Sequence, residues 1–223
     1  MIRFFAALLI LIPAMCASGI AQDAAAALSN DAPVEKKANV KTFVSYGLVV
    51  DNSGSFRTLL DKVITVASDV VEHNQDNDEA FLVTFVDTPK IVLRQEFTYK
   101  KSELHDAAQN MYVEGGQTAI LDALKSAADY LATNAKTDEG RSRALVLVTD
   151  GEDRASETKI EDLLKVLKGE NIRVFVIAMS DTKVVTKIID RLAKETGGLV
   201  VTPKRATDVA AAAKQISAAM RTK

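Results

Sequence analysis

The chain has 223 residues, of which 48% are apolar and 26% charged, enough for one globular domain with a sizeable core. Its formal net charge is only −2 and no block of like charges stands out, so the basic footprint of a nucleic-acid-binding protein is missing. We therefore expect no nucleic-acid partner.

The first 21 residues have the pattern of a signal peptide. Arg3 supplies a short positive segment, residues 4–12 run apolar without a charge, and the small residues Gly19 and Ala21 suit a cleavage site before residue 22. An apolar run of this length is too short to span a membrane. We predict a periplasmic or secreted protein with no membrane insertion after signal cleavage; the alternative is an uncleaved amphiphilic anchor.

Cys16 is the only cysteine and lies inside this leader. Met15 stands before it, where a lipid-modified cysteine needs a small residue, so lipidation is disfavoured. A metal site built on cysteine is excluded from the exported chain. Residues 22–40 are rich in Ala, Asp, Asn and Lys without apolar periodicity, which indicates a flexible tether, and residues 41–223 form the predicted domain.

Strands and helices alternate along that domain. Short, apolar, β-rich runs predict strands at residues 43–50, 80–86, 90–95, 144–149, 172–178 and 199–202. Apolar residues at helical spacing predict helices at residues 56–73, 102–111, 118–133, 156–167 and 184–196, and from about residue 207 to the C-terminus.

This alternation predicts an α/β fold that is Rossmann-like and doubly wound, with helices on both faces of a mainly parallel six-stranded sheet. The exception is residues 90–95. Their connection to residues 80–86 is too short for a parallel crossover, so the two runs form a hairpin that places one antiparallel strand at an edge. In open sheets of this kind, ligands bind outside the carboxyl ends of the strands, near the switch in strand order.

Oxygen-bearing side chains follow the strands at that rim. Asp51, Ser53 and Ser55 alternate where the first strand gives way to a helix, so their side chains can project to one side, and Ser55 also suits a helix N-cap. Asp150 follows the strand at 144–149, and Thr118 stands after a glycine-rich loop at a predicted helix start. Glu152 and Asp153 are expected to favour the start of the helix that follows them.

Two carboxylates and three hydroxyls make a donor set for a hard divalent cation. Mg²⁺ prefers oxygen ligands and is usually held by one or two carboxylates together with water. Mg²⁺ is therefore the expected ion, with Mn²⁺ or Ca²⁺ as alternatives, although Ca²⁺ normally recruits more carboxylate and carbonyl oxygens. Because the hydroxyls are neutral, the ion stays electrophilic, and its open position favours a protein partner that presents Asp or Glu.

The segment Asp51-Asn52-Ser53-Gly54-Ser55, with Thr118 and Thr149-Asp150-Gly151, resembles the metal-ion-dependent adhesion site of von Willebrand factor type A (VWA) domains. The resemblance extends from about residue 43 to the C-terminus. It implies that Ser53, Ser55 and Thr118 bind the metal directly or exchange with water, and that Asp51 and Asp150 contribute directly or through water. It further implies a non-enzymatic module that binds protein ligands, as in cell adhesion.

Two other functions remain open from the sequence. A haloacid-dehalogenase-like metal-dependent phosphohydrolase would use Asp51 as nucleophile, but it needs an acid–base Asp two residues later, where Ser53 stands. A structural interaction domain with an idle metal site would bind its partner regardless of metal. His73 and His105, the only histidines, are assigned to surface or helix-capping roles.

Overall fold

A computed structural model of the protein describes residues 42–181 and 184–222. The predicted signal peptide and tether lie outside the described residues. In the part that is described, no helix is both long and apolar enough to cross a membrane.

Strands and helices alternate in the order that the sequence predicts. The strands are β1 Val44–Asp51, β2 Glu79–Phe85, β3 Ile91–Thr98, β4 Ser142–Thr149, β5 Ile172–Ala178 and β6 Val200–Val201. The helices are α1 Leu60–Glu72, α2 Lys101–Gln109, α3 Ile120–Asn134, α4 Ile160–Gly169, α5 Lys187–Thr196 and α6 Val209–Ala219.

Over residues 42–181 and 184–222, the six strands form one sheet in the order β3-β2-β1-β4-β5-β6. All neighbouring strands are parallel except β2 and β3, which form an antiparallel hairpin and leave β3 at an edge. The predicted fold class and the antiparallel edge strand are therefore confirmed. The strand order reverses direction between β1 and β4, so the crevice beyond their carboxyl ends is where this architecture binds ligands.

Each face of the sheet is covered by three helices. On one face, α1, α2 and α6 form an apolar cluster with alternate residues of β1, such as Tyr46 and Leu48. On the other face, α3, α4 and α5 form a second cluster that includes Val49 of β1. Burial on both faces explains why β1 is apolar almost throughout rather than alternating. Gly47 is required there, because an added Cβ would lie 2.3 Å from the Phe81 ring.

Helices α1, α3, α4 and α5 begin later than the sequence predicts; α5 starts at Lys187 rather than at residue 184. Helix α1 starts at Leu60 after a separate 3₁₀ turn, Gly54–Phe56, so Ser55 lies inside that turn and is not a helix N-cap. Helix α3 starts at Ile120, two residues beyond Thr118, and α4 starts at Ile160 rather than at residue 156. The residues before α1 and α4 use their polar groups in contacts with distant segments, which apolar periodicity does not reveal.

Candidate metal site at the strand-order switch

The end of β1 carries the buried carboxylate of Asp51, and the hydroxyls of Ser53 and Ser55 follow it. Asp51 is 1% exposed. Its Oδ1 accepts a hydrogen bond from the backbone N–H of Ser53 at 2.9 Å, and its Oδ2 accepts one from the Thr149 hydroxyl at 2.9 Å. The Oγ atoms of Ser53 and Ser55 lie 3.1 Å apart. The two serines therefore present adjacent oxygens, while both carboxylate oxygens of Asp51 are held in place from within the protein.

The end of β4 supplies the second carboxylate. Asp150 is partly buried, and its Oδ1 accepts a hydrogen bond from the backbone N–H of Glu152 at 3.1 Å. The next residue, Gly151, has φ +86°, and an added Cβ would lie 1.9 Å from the carbonyl oxygen of Val185. Only glycine fits this turn directly after Asp150.

Thr118 lies on the loop before α3, where it is buried. Its carbonyl oxygen accepts hydrogen bonds from the backbone N–H groups of Arg154 at 2.8 Å and Ala155 at 3.0 Å. The backbone N–H of the next residue, Ala119, donates to the carbonyl of Val86 at 2.7 Å, just beyond the end of β2. The loop that carries Thr118 is thus fastened both to the segment after Asp150 and to the end of β2.

Asp153 also helps to fix the loop of Thr118. The sequence predicts that Asp153 favours the start of the next helix, but its role in the structure is different. Its Oδ1 accepts the backbone N–H of Ile120 at 2.8 Å and the Ser156 hydroxyl at 2.6 Å, while the Ser156 Oγ accepts the N–H of Leu121 at 2.9 Å. Asp153 and Ser156 therefore cap α3, not the helix that follows them in sequence. This capping fixes the α3 start relative to β4.

The glycine-rich loop also approaches the serine turn. A Cβ added to Gly54 would lie 3.8 Å from the Cα of Gly115, so the two loops are near each other at this point. Backbone hydrogen bonds and the Thr149–Asp51 hydrogen bond bring the segments that carry Asp51, Ser53, Ser55, Thr118 and Asp150 to one end of the sheet.

Electrostatics at the crevice are unfavourable for an isolated carboxylate. Burial raises the pKa of Asp51 from 3.8 to about 6, against the opposing effect of its hydrogen bonds to Ser53 and Thr149. The neighbouring charge of Asp150 makes a smaller contribution to this rise. A bound dication would offset both the burial cost and the mutual repulsion, so the donor set present here fits a hard divalent ion.

Asn52 belongs to this site although sequence reasoning gave it no role. Its backbone N–H donates to the Phe85 carbonyl at 3.0 Å, its carbonyl accepts the N–H of Glu114 at 3.2 Å, and its Nδ2 donates to the Tyr112 carbonyl at 3.0 Å. Asn52 thus connects the loop of residues 112–116 to the turn between Asp51 and Ser53. Its buried Oδ1 has no hydrogen-bond partner among the described residues.

The histidines lie elsewhere. His105 Nε2 is 2.7 Å from Glu72 Oε1, and His73 Nδ1 is 2.7 Å from the carbonyl oxygen of Asp69. Within residues 42–181 and 184–222, no three His, Cys, Asp or Glu side chains cluster as a metal-binding group.

Comparison with known proteins agrees with this architecture. The model of the von Willebrand factor type A domain matches residues 47–217. A search of curated proteins found no match.

Solved structures with the same fold include an aerotolerance-related membrane protein from Bacteroides fragilis, at 20% identity and a TM-score of 0.64, covering 78% of this chain and 98% of that one. The conserved hypothetical protein BatB from Bacteroides thetaiotaomicron has 18% identity and a TM-score of 0.64, covering 80% and 100%. A von Willebrand factor type A protein from Catenulispora acidiphila has 15% identity and a TM-score of 0.68, covering 81% of this chain and 43% of that one.

These likenesses to solved structures establish the shared fold. Because the family model spans most of the chain, from the middle of β1 to α6, the chain belongs to the von Willebrand factor type A family.

Proposed function

We propose that this protein is an exported VWA domain that holds a divalent cation, Mg²⁺ in preference to Mn²⁺ or Ca²⁺, and binds an acidic group of a protein partner through it. The metal ligands are Asp51, Ser53, Ser55, Thr118 and Asp150. The ion supplies an electrophilic position for the partner's carboxylate. The leader sequence supports export, and the partner's side chain is Asp or Glu.

The observation that carries this proposal is the arrangement at the end of β1. Asp51 is 1% exposed and lies beside the hydroxyl oxygens of Ser53 and Ser55, which are 3.1 Å apart. The second carboxylate, Asp150, follows β4 and is close enough to raise the pKa of Asp51. Burying an unpaired carboxylate is costly, and proteins rarely retain one without a compensating charge. No cationic side chain pairs with Asp51 among the described residues, so a metal ion is the natural compensating charge.

The sequence at the end of β1 favours binding over catalysis. Ser53 occupies the position at which a haloacid-dehalogenase-like enzyme requires its acid–base Asp. We therefore propose a non-enzymatic interaction module.

Metal binding is tested by adding MgCl₂ or MnCl₂ to the chelated, purified protein and following thermal unfolding. A ligand present at 100 times its Kd stabilises the folded state by about 2.7 kcal/mol, so the wild type should show a clear rise in Tm. Ser53→Ala should lose that rise and still fold. Ser126→Ala, which removes an exposed hydroxyl from α3, is the matched control and should respond as the wild type does.

Partner binding is tested by affinity capture from the exported proteome, first with Mg²⁺ and then with chelator. We expect a partner that is retained with Mg²⁺, released by chelator, and lost with Asp150→Ala. A partner retained equally with chelator would indicate a structural interaction domain with an idle metal site.

A further inference from the structure

Tyr112 has an exposed side chain, but both its backbone carbonyl and its ring contact other residues. Its side chain is 52% exposed, the highest value among the large exposed apolar residues of the described chain. Its carbonyl oxygen accepts the hydrogen bond from Asn52 Nδ2 at 3.0 Å, which ties it to the segment between Asp51 and Ser53. The centre of its ring lies 5.0 Å from the guanidinium carbon of Arg94, a cation–π contact.

Arg94 is itself fixed. Its Nε donates to the Thr84 hydroxyl at 2.8 Å, and its Nη2 donates to Glu114 Oε1 at 3.0 Å. Since Thr84 lies on β2 and Glu114 on the glycine-rich loop, the guanidinium joins the sheet to that loop. The ring of Tyr112 therefore packs against an arginine that is held by two hydrogen bonds. Little side-chain entropy remains to be lost when a ligand contacts the ring.

A second exposed apolar residue lies near the end of β4. Val185 is 40% exposed. Its backbone N–H donates to the carbonyl oxygen of Asp150 at 2.9 Å, which places it beside the second proposed metal ligand. The backbone of Tyr112 is bonded at the end of β1 and that of Val185 at the end of β4, so both residues lie near the strand-order switch.

Two arginines near the crevice are paired with acidic residues. Arg94 pairs with Glu114 at 3.0 Å, and Arg154 pairs with Glu152 at 2.6 Å. These two pairs add no net charge beside the carboxylates of Asp51 and Asp150. A dication at the crevice would attract an acidic group, while the rim around it would offer apolar contact. Single exposed apolar residues are common on protein surfaces, but the residues that dominate binding energy at interfaces are enriched in tyrosine and arginine.

We propose that Tyr112, supported by Arg94, is a specificity-determining contact that selects partner segments in which a large apolar side chain lies close in sequence to the acidic residue. Val185 provides a second, smaller contact. This inference rests on the proposed function, because Tyr112 would contact the same partner whose carboxylate the metal ion binds.

The experiment uses a phage library of linear peptides with a fixed central Glu and random flanking positions. The peptides are selected on the immobilised full-length protein in Mg²⁺ and eluted with chelator. For the wild type we expect enrichment of Leu, Phe, Tyr or Trp within three positions of the Glu. The same selection on Tyr112→Ala should lose that enrichment.

A selected peptide is then synthesised with a fluorescent label, and its affinity is measured by anisotropy. Tyr112→Ala should raise its Kd about tenfold or more, the effect of losing an interface anchor. Tyr99→Ala is the matched control, since Tyr99 is also an exposed tyrosine under a cation, Lys136, but follows β3 at the opposite end of the sheet. It should leave the Kd unchanged, and both variants should retain the wild-type response to Mn²⁺.

The outcomes separate the two proposals. Chelator-eluted peptides without any apolar preference, or an unchanged Kd in Tyr112→Ala, would overturn the role of Tyr112 and leave metal-dependent binding intact. A failure to recover any chelator-eluted peptide from the wild type, together with no response to Mn²⁺, would overturn the proposed function and this inference with it.

Discussion

Replacing Asp51 by Asn should stabilise the metal-free protein while abolishing its response to metal. The ionised carboxylate is buried without a cationic partner among the described residues, and its pKa is raised from 3.8 to about 6. That difference of about two units corresponds to roughly 3 kcal/mol, the free energy by which ionisation of Asp51 destabilises the folded state above pH 6. An asparagine has nearly the same shape and carries no charge. In chelator at pH 8 we therefore expect the variant to gain about 1–3 kcal/mol in its free energy of unfolding.

The dependence on pH follows from the direction of the shift. Because the folded state binds the Asp51 proton more tightly than the unfolded state does, this residue favours folding below about pH 4 and loses its contribution as the pH rises to 6. The stability of the variant relative to the wild type should therefore grow between pH 4 and pH 6 and level off above it. Taking the difference between the two proteins cancels the titration of the other carboxylates.

Urea denaturation, followed by circular dichroism at several pH values with and without Mg²⁺, measures this difference. Asp162→Asn removes an exposed carboxylate on α4 and serves as the control; it should show no comparable dependence on pH or metal. A loss of stability for Asp51→Asn in chelator at pH 8 would refute the reasoning. It would mean that the hydrogen bonds from Ser53 and Thr149 outweigh the cost of burying the charge.

The remaining predictions concern the backbone that supports the crevice. Gly151→Ala should destabilise the protein by more than about 2 kcal/mol in urea denaturation, because its Cβ would overlap the carbonyl of Val185, whereas Gly140→Ala, with a similar φ of +78° and nothing within 4 Å, should cost only about 1 kcal/mol. A similar loss in both variants would show that φ alone is responsible. Asp153→Ala should cost about 1–2 kcal/mol through loss of the cap on Ile120, and Asp153→Asn, which retains an acceptor oxygen, should recover most of it in the same measurement. Equal losses in Ala and Asn would indicate that the charge matters rather than the hydrogen bond.

Much of the fold follows from local pattern. The strand predicted at residues 172–178 coincides with β5, and the short connection after β2 correctly predicts an antiparallel hairpin with β3 at an edge. These features are encoded locally, because burial on both faces demands continuous apolar runs and a short turn cannot make a parallel crossover. The same rule for parallel sheets predicts that Asp51, Ser53, Ser55, Thr118 and Asp150 form one metal site beyond the carboxyl ends of β1 and β4, and this stays a prediction.

The contacts that hold this site together could not be inferred in that way. Thr149 appears in the sequence as the last residue of an apolar strand, yet its hydroxyl binds Asp51, which is 98 positions away. Asn52 appears as a turn residue, yet its amide holds Tyr112 across 60 positions. Asp153 was assigned to the following helix because acids are common at helix starts, and it instead caps the preceding one.

Periodicity and turn chemistry were thus sufficient for the order of the elements, because that order depends on neighbouring residues and on the solvent that each face meets. Which hydroxyl meets which carboxylate depends on strand register and on how two loops pack against each other. Those relations arise only when segments far apart in the chain come together, since a hydrogen bond is sensitive to fractions of an ångström that no local pattern specifies.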